Sequence, residues 1–174
     1  MKSYIQIYTG NGKGKTSAAL GVALRAAGAG LQTLLIQFMK DGFPYSEMIS
    51  LPLLSEFITV EKYGSDVHVL EKRQPTTEER LLVKQGLNRA RLALTVGDYD
   101  VLILDEICVA VHFDFFTAEE VAKLFDLRPD NVELILTGRY CPKEWIERAD
   151  LVTEMREVKH YFNKGVLSRK GIDC

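Results

Sequence analysis

A glycine-rich loop near the start of the sequence limits the chain to a small set of folds. The stretch "YTGNGKGKTSAALG", residues 8–21, follows the alternating run "SYIQIYTG" and leads into a helix-forming run. Glycines let backbone N–H groups converge on an anion, and the first turn of the following helix adds positive potential. A loop of this kind between a strand and a helix is the phosphate-binding P-loop. The sequence therefore predicts an α/β domain that binds a nucleotide.

The polar positions of this loop have distinct predicted roles. Lys15 would reach the terminal phosphates, and the Thr16 hydroxyl would be a ligand of Mg²⁺ or Mn²⁺. The pattern G-x-x-x-x-G-K-[ST] has glycine at the position that Thr9 takes in this chain. A glycine-rich turn can also be geometry alone, but the sequence Gly-Lys-Thr in this context favours phosphate binding. We predict that one continuous set of residues contacts the nucleotide: Thr9, Gly10, Asn11, Gly12, Lys13, Gly14, Lys15, Thr16 and Ser17.

The rest of the chain alternates short apolar runs with longer helical ones, which is typical of parallel strands joined by crossover helices. We expect a single domain over residues 1–174, with a RecA-like P-loop fold whose mainly parallel sheet carries helices on both faces. A last pairing around residues 159–172 is also expected. The predicted strands are residues 5–8, 33–38, 57–62, 99–107, 132–139 and 151–155, and the predicted helices are residues 16–29, 76–94, 117–127 and 142–148. Two of these helices begin with a threonine followed three residues later by a glutamate, Thr76/Glu79 and Thr117/Glu120, which is the spacing of a capping box.

A second signal lies about ninety residues after the P-loop. The run "VLILDE" places Asp105 and Glu106 at the end of a buried strand, where P-loop proteins carry the Walker B carboxylate. An acidic pair at this position can also be a helix cap. Together with the P-loop it predicts a metal site formed by Thr16, Asp105 and Glu106, and spacing does not decide which carboxylate touches the metal. Arg139 ends a later strand, where a triphosphate contact and a surface ion pair are both open.

Composition excludes several classes of partner. The chain has 174 residues, a formal net charge of -2 and a pI near 6.0, so a broad basic surface for nucleic acid is not expected. No apolar run approaches the roughly 20 residues that cross a bilayer, so we expect no membrane span. Its three cysteines are far apart in sequence and are too few for a disulfide framework, which favours the cytoplasm.

The motifs alone predict an enzyme or a switch that binds Mg²⁺ and a nucleotide. They do not predict which class, because the P-loop occurs in kinases, motors, GTPases and transferases alike. The sequence has no N-K-x-D motif to read guanine, which favours adenine.

A set of ordered segments narrows this reading. They are "GNGKGKTSAALG", "QFMK" followed shortly by "SE", "LILDEI", "LRPDNVELILTGR", "ADLVTEM" and "KHYFNKGVLSRKGID". In this order they resemble the ATP:corrinoid adenosyltransferase family of cobalamin biosynthesis and salvage. The resemblance spans almost the whole chain and includes the threonine at position 9 of the loop.

The resemblance implies an unusual use of the P-loop. A corrinoid cobalt reduced to Co(I) attacks C5' of the ATP ribose and displaces the whole triphosphate. Lys13, Lys15 and Mg²⁺ would stabilise the charge that accumulates on the leaving group, and the catalytic roles fall to Lys15, Thr16 and Glu106. The resemblance further implies ATP as co-substrate, a corrinoid substrate, an electron donor protein or flavin, and a homodimer. The corrinoid contacts expected from the loop after the second strand are Phe43, Tyr45 and Glu47.

Two alternatives stay open from the sequence. A RecA-like or kinase-like ATPase would cleave the β–γ bond of ATP, with Glu106 positioning a water. A non-catalytic module would bind ATP and a corrinoid without turnover. The product separates these hypotheses, because only the transferase releases triphosphate.

Overall fold

A computed structural model describes residues 2–40, 45–65 and 74–174 of the chain. Its six strands form one parallel sheet in the order β3-β2-β4-β5-β1-β6. The predicted α/β class is therefore confirmed. The strands are β1 (Ile5–Thr9), β2 (Thr33–Phe38), β3 (Ile58–Tyr63), β4 (Val101–Asp105), β5 (Glu133–Thr137) and β6 (Leu151–Glu154).

The helices connect these strands. Two of them begin at the predicted capping boxes, because the Thr76 and Thr117 side chains accept from the backbone N–H of Glu79 and Glu120, whose side chains bond back. The helices are α1 (Lys15–Gly28), α2 (Glu47–Ser50), α3 (Thr77–Val96), α4 (Ile107–His112), α5 (Ala118–Leu127) and α6 (Lys143–Arg148), with 3₁₀ helices at Leu51–Leu54 and Tyr161–Lys164.

Apolar side chains are buried on both faces of the sheet. On one face, small residues of α1 such as Ala19 and Ala23 share a buried cluster with Leu35 of β2. On the other face, residues of α3 and α5, including Leu87 and Leu124, belong to a second buried cluster. A strand covered on both faces needs a continuous apolar run, which explains the runs "TLLIQF" and "VLILD".

Two sequence-based predictions of elements were wrong. The strand predicted to reach residue 107 ends at Asp105, because Glu106 has a left-handed backbone (φ 61°) and Ile107 already begins α4. No strand lies in the predicted pairing at residues 159–172, all of which the structure describes. That segment instead forms local bonds, such as the one from Val166 N to the Tyr161 carbonyl.

The parallel sheet brings five chain segments together at one edge, because the carboxyl ends of all its strands point the same way. The P-loop follows β1, and β1 lies between β5 and β6. Lys40 follows β2 closely, and Asp105 is the last residue of β4. In the parts of the chain that the structure describes, no helix is both long and apolar enough to cross a membrane.

Candidate nucleotide-binding site

The P-loop is held against the end of β6 by backbone hydrogen bonds. Met155 N donates to the Thr9 carbonyl (2.8 Å), and Gly12 N donates to the Met155 carbonyl (2.6 Å). A Cβ added at Gly10 or Gly12 would lie 2.5 or 2.7 Å from the Met155 carbonyl oxygen. Gly10 and Gly12 therefore let the P-loop backbone lie against the backbone of Met155, in addition to their predicted role in phosphate binding.

Thr9 and Lys15 both face inward. Thr9 is buried, and its hydroxyl donates to the Gly138 carbonyl (2.9 Å), so this side chain ties the loop to the end of β5. The Lys15 ammonium donates to the Gly12 carbonyl (2.9 Å) inside the loop. Burial lowers the pKa of Lys15, and the positive charges of Arg139 and Lys40 act in the same direction. A negatively charged ligand would favour the charged form of this lysine.

Asp105 is completely buried at the centre of a polar network. Burial would raise its pKa, but the charge of Lys40 and hydrogen bonds to the carboxylate together hold the pKa below its ordinary value. Its oxygens accept from four side chains: Thr16 (2.9 Å) and Thr137 (2.7 Å) at Oδ1, and Lys40 (2.7 Å) and Gln37 (3.1 Å) at Oδ2.

Lys40 is the cation of this network. Its ammonium contacts both Asp105 and the Thr16 hydroxyl (3.1 Å), so it links β2 to β4 and to the start of α1. Burial would lower the pKa of Lys40, but the charges of Asp105 and Glu106 raise it above its ordinary value. The ion pair therefore stays charged at neutral pH.

Glu106 has a different environment from Asp105. Its backbone N–H donates to the Thr137 hydroxyl (2.9 Å), and its left-handed conformation turns the chain from β4 into α4. Burial and the neighbouring charge of Asp105 raise the pKa of Glu106. Glu106 lines the cavity above the P-loop, whereas Asp105 does not.

Two cavities flank the P-loop. The larger, about 710 Å³, is bordered by Lys13 to Ser17, Lys40 and Glu106 on one side and by Tyr45 and Glu47 on another. The smaller, about 250 Å³, is bordered by Asn11, Gly12 and Arg139. Lys13 and Lys15 line both cavities, so positive side chains face each of them.

The structure brings most of the predicted site residues to this edge of the sheet. Residues 11–17, Glu106 and Arg139 border the two cavities, and Tyr45 and Glu47 lie across the larger one. Asp105 borders neither cavity but accepts from Thr16, which does. Thr9 and Gly10 border neither cavity and instead contact the ends of β5 and β6. Phe43 lies outside the described residues.

Sequence reasoning missed four residues that shape the site. Gln37 and Thr137 are buried strand residues that bind Asp105. Asp173 lines both cavities and contacts Lys13. Lys40 carried a usable signal, because a lysine directly after the buried run "TLLIQF" lies at the ligand-binding edge of a parallel sheet. The other three carried none that spacing could reveal.

Comparison with known proteins gives a consistent result. A sequence model described as "ATP:corrinoid adenosyltransferase BtuR/CobO/CobP" matches residues 1–174. The corrinoid adenosyltransferase of Escherichia coli (strain K12) is 34% identical over 177 residues, which cover 99% of this chain and 86% of that protein. The corrinoid adenosyltransferase CobA of Salmonella typhimurium is 34% identical over 180 residues with the same coverage. The corrinoid adenosyltransferase of Pseudomonas aeruginosa is 28% identical over 172 residues, covering 99% of this chain and 84% of that protein.

Proposed function

Because the chain belongs to the ATP:corrinoid adenosyltransferase family, we propose that its P-loop holds the triphosphate of ATP as a leaving group during adenosyl transfer to a corrinoid. The electron pair of Co(I) forms the cobalt–carbon bond to C5' of the ribose. The C5'–O bond breaks, and its electron pair leaves with the triphosphate. No phosphoryl group and no proton is transferred in this step.

One observation carries this proposal: three lysines and two of the three predicted corrinoid contacts border the same cavity. Lys13, Lys15 and Lys40 provide positive charge on the P-loop side, where charge would accumulate on the leaving group. Tyr45 and Glu47 lie across the same cavity of about 710 Å³. A shared cavity would let the two substrates meet at attack distance, which is the main requirement of this reaction.

The residues present fit a bound Mg²⁺. Among the described residues there is no cluster of three or more His, Cys, Asp or Glu side chains that could hold a metal, but Mg²⁺ at nucleotide sites takes few protein ligands and completes its shell with phosphates and water. Asp105 already accepts four hydrogen bonds, whereas Glu106 borders the cavity. We therefore assign Thr16 and Glu106 as the metal ligands and Asp105 as the group that positions Thr16. The metal would neutralise charge on the triphosphate.

The corrinoid side of the proposal depends on the segment around α2. Tyr45 lies with its ring 5.4 Å from the Lys40 ammonium, so it borders the same polar network as the P-loop. Glu47 is the first residue of α2 and borders the cavity. We propose that these two residues contact the corrinoid, together with Phe43.

Cleavage of the β–γ bond is the second candidate, and Glu106 is the observation that favours it. A carboxylate at the cavity wall beside the P-loop could position a water against the terminal phosphate. Its raised pKa is compatible with a general base. Product identity separates this activity from adenosyl transfer.

The setting of the reaction is part of the same proposal. We propose a homodimer that works in the cytoplasm and receives electrons from a flavin or a small electron-transfer protein. The cysteines Cys108, Cys141 and Cys174 are all free thiols, which supports a reducing compartment.

The deciding experiment is a single-turnover assay without oxygen. The protein is incubated with MgATP and chemically reduced cob(I)alamin, and both the corrinoid spectrum and the phosphate product are followed. We expect a light-sensitive adenosylated corrinoid and stoichiometric triphosphate, both lost in Lys15→Ala and unchanged in Lys123→Ala, a control on the exposed face of α5. ADP and phosphate without a cobalt–carbon product would instead establish the ATPase.

A further inference from the structure

Residues 168–174, here called the covering segment, lie over the P-loop. Ser168 and Gly171 to Cys174 border the larger cavity opposite Lys13 to Ser17. Ser46, just before α2, fixes the segment in place, because its hydroxyl donates to the Cys174 carbonyl (2.8 Å) and accepts from Gly171 N (3.1 Å). The segment therefore closes one side of the proposed nucleotide site.

The covering segment places a carboxylate on the P-loop. Asp173 accepts from the Lys13 ammonium and from the Tyr161 hydroxyl at one oxygen. Its other oxygen accepts from the side chain (2.9 Å) and the backbone N–H (3.1 Å) of Arg169. The Asp173 side chain is only 9% exposed. Two cations and a hydroxyl thus surround one anionic group.

These donors are the kind that bind phosphate. Arg and Lys form charge-assisted hydrogen bonds with phosphate as they do with carboxylate. Hydrogen bonds from Lys13 and Tyr161 hold the pKa of Asp173 well below its ordinary value, so the group is anionic at neutral pH. Lys13, Tyr161 and Arg169 therefore form an anion-binding site that the protein's own Asp173 carboxylate fills.

Asp173 and a triphosphate bound to the P-loop would compete for Lys13. Lys13 lines both cavities, and so does Asp173, so the contact between them borders both cavities. A polyphosphate bound along residues 13–17 would lie next to a second anion that occupies one of the loop's lysines. A phosphate bound at Lys13 would compete with Asp173 for the same ammonium and would be repelled by its carboxylate, which favours displacement of Asp173.

We propose that Lys13, Tyr161 and Arg169 form a phosphate-binding subsite of the polyphosphate, which Asp173 occupies until the nucleotide displaces it. Tyr161 and Arg169 are then nucleotide-binding residues in addition to the P-loop. The inference rests on the proposed function, because it takes the P-loop to hold a triphosphate.

Binding of inorganic triphosphate and of MgATP, measured by titration calorimetry, tests the subsite. Asp173→Asn keeps the shape of the side chain and removes its charge, and we expect it to tighten both ligands about tenfold, because an occupant present nine-tenths of the time weakens the apparent affinity by that factor. Arg169→Gln should weaken both ligands by a similar factor. Glu157→Gln, on an exposed carboxylate that pairs with Asn163 in the preceding stretch, is the matched control and should change neither.

A measurement on the unmodified protein makes the test independent of how the variants fold. The Asp173 backbone N–H donates to the Arg169 carbonyl (2.8 Å), and a phosphate cannot replace that acceptor, so its hydrogen exchange should become faster on addition of MgATP as Asp173 leaves. Weaker or unchanged binding by Asp173→Asn, or unchanged or slower exchange at the Asp173 N–H with nucleotide, would overturn the subsite and make Asp173 a structural clamp on the loop. In that case the triphosphate product of the single-turnover assay still stands. If the wild-type protein binds no triphosphate, both the subsite and the proposed function fail.

Discussion

The buried ion pair between Lys40 and Asp105 is the residue-scale feature on which the site depends. The Asp105 side chain is fully buried and that of Lys40 is 11% exposed, so the carboxylate has no contact with solvent and the ammonium has little. Removing one member of such a pair leaves the other charge uncompensated, which costs more than the pair itself contributes. Thr16 also belongs to this network, so its hydroxyl is oriented by the same two charges.

Lys40→Met should destabilise the protein by about 3 kcal/mol at neutral pH, since Asp105 would be left as a buried anion with three uncharged donors. The double variant Lys40→Met/Asp105→Asn should recover most of this loss. Urea unfolding measures both. Lys123→Met, which removes an exposed pair with Glu119, should change the free energy of unfolding by less than about 0.5 kcal/mol.

The same pair predicts a pH dependence with a definite sign. The pKa of Asp105 is lowered in the folded state and that of Lys40 is raised, so the pair stabilises the fold between their ordinary pKa values. As the pH falls through the range in which Asp105 becomes protonated, the wild type loses this contribution. In Lys40→Met, burial without the Lys40 charge raises the pKa of Asp105. The stability gap between wild type and Lys40→Met should therefore narrow as the pH is lowered from neutral to about pH 4 and below; a gap that stays constant would assign the loss to packing.

Some residues of the site could be predicted from the sequence, and others could not. Lys15 and Thr16 are positioned by a local pattern, since a strand, a glycine loop and a helix are consecutive in the chain. Gln37 and Thr137 bind Asp105 from two other strands, and such contacts depend on strand order and register. The order and register of the strands cannot be worked out from one sequence, so these two contacts could not be predicted.

Helix α3 shows how an element is fitted to the sheet by one small residue. An ideal Cβ placed at Gly86 would lie 2.7 Å from Phe38 Cε1 and 2.8 Å from Tyr63 Cδ2, both at the ends of strands. The helix contacts β2 and β3, so the missing side chain sets how closely it packs. Gly21 in α1 has the opposite environment, with no atom within 4 Å of its ideal Cβ.

Gly86→Ala should destabilise the protein by about 2 kcal/mol, because overpacking against two rings outweighs the better helix propensity of alanine. Gly21→Ala makes the same chemical change at an open helical position and should stabilise it by roughly 0.5 kcal/mol. Guanidinium unfolding of both variants gives the comparison. Equal effects at the two sites would mean that α3 can shift away from the sheet at no cost.

The boundaries of helices and strands are predicted best where the residues that begin or end the element belong to the element itself. The capping boxes of α3 and α5 were predicted from the spacing of threonine and glutamate alone. The end of β4 was misplaced, because the left-handed turn at Glu106 depends on a hydrogen bond to Thr137 of the neighbouring strand. The segment at residues 159–172 was misread as extended, because its partners are Lys13 and Ser46 rather than a sheet edge.

For the whole molecule, the site joins parts of the chain that are far apart in sequence. The P-loop follows β1, Lys40 follows β2, Asp105 ends β4, and Met155 follows β6. A ligand bound where these four strands end stabilises all of them together, rather than one part of the domain. The single domain expected from chain length should therefore unfold in one step with and without nucleotide.

Scanning calorimetry with MgATP tests this expectation. At one hundred times its dissociation constant a ligand adds about 2.7 kcal/mol, which corresponds to a rise in Tm of roughly 5–10 °C for a domain of this size. We expect one transition that moves as a whole for the wild type. Lys15→Ala should keep the transition and lose the shift, because the lysine lies inside the loop without supporting the sheet. A second transition that stays in place when nucleotide is added would mean that part of the chain folds independently of the P-loop, and the chain would then consist of two cooperative units.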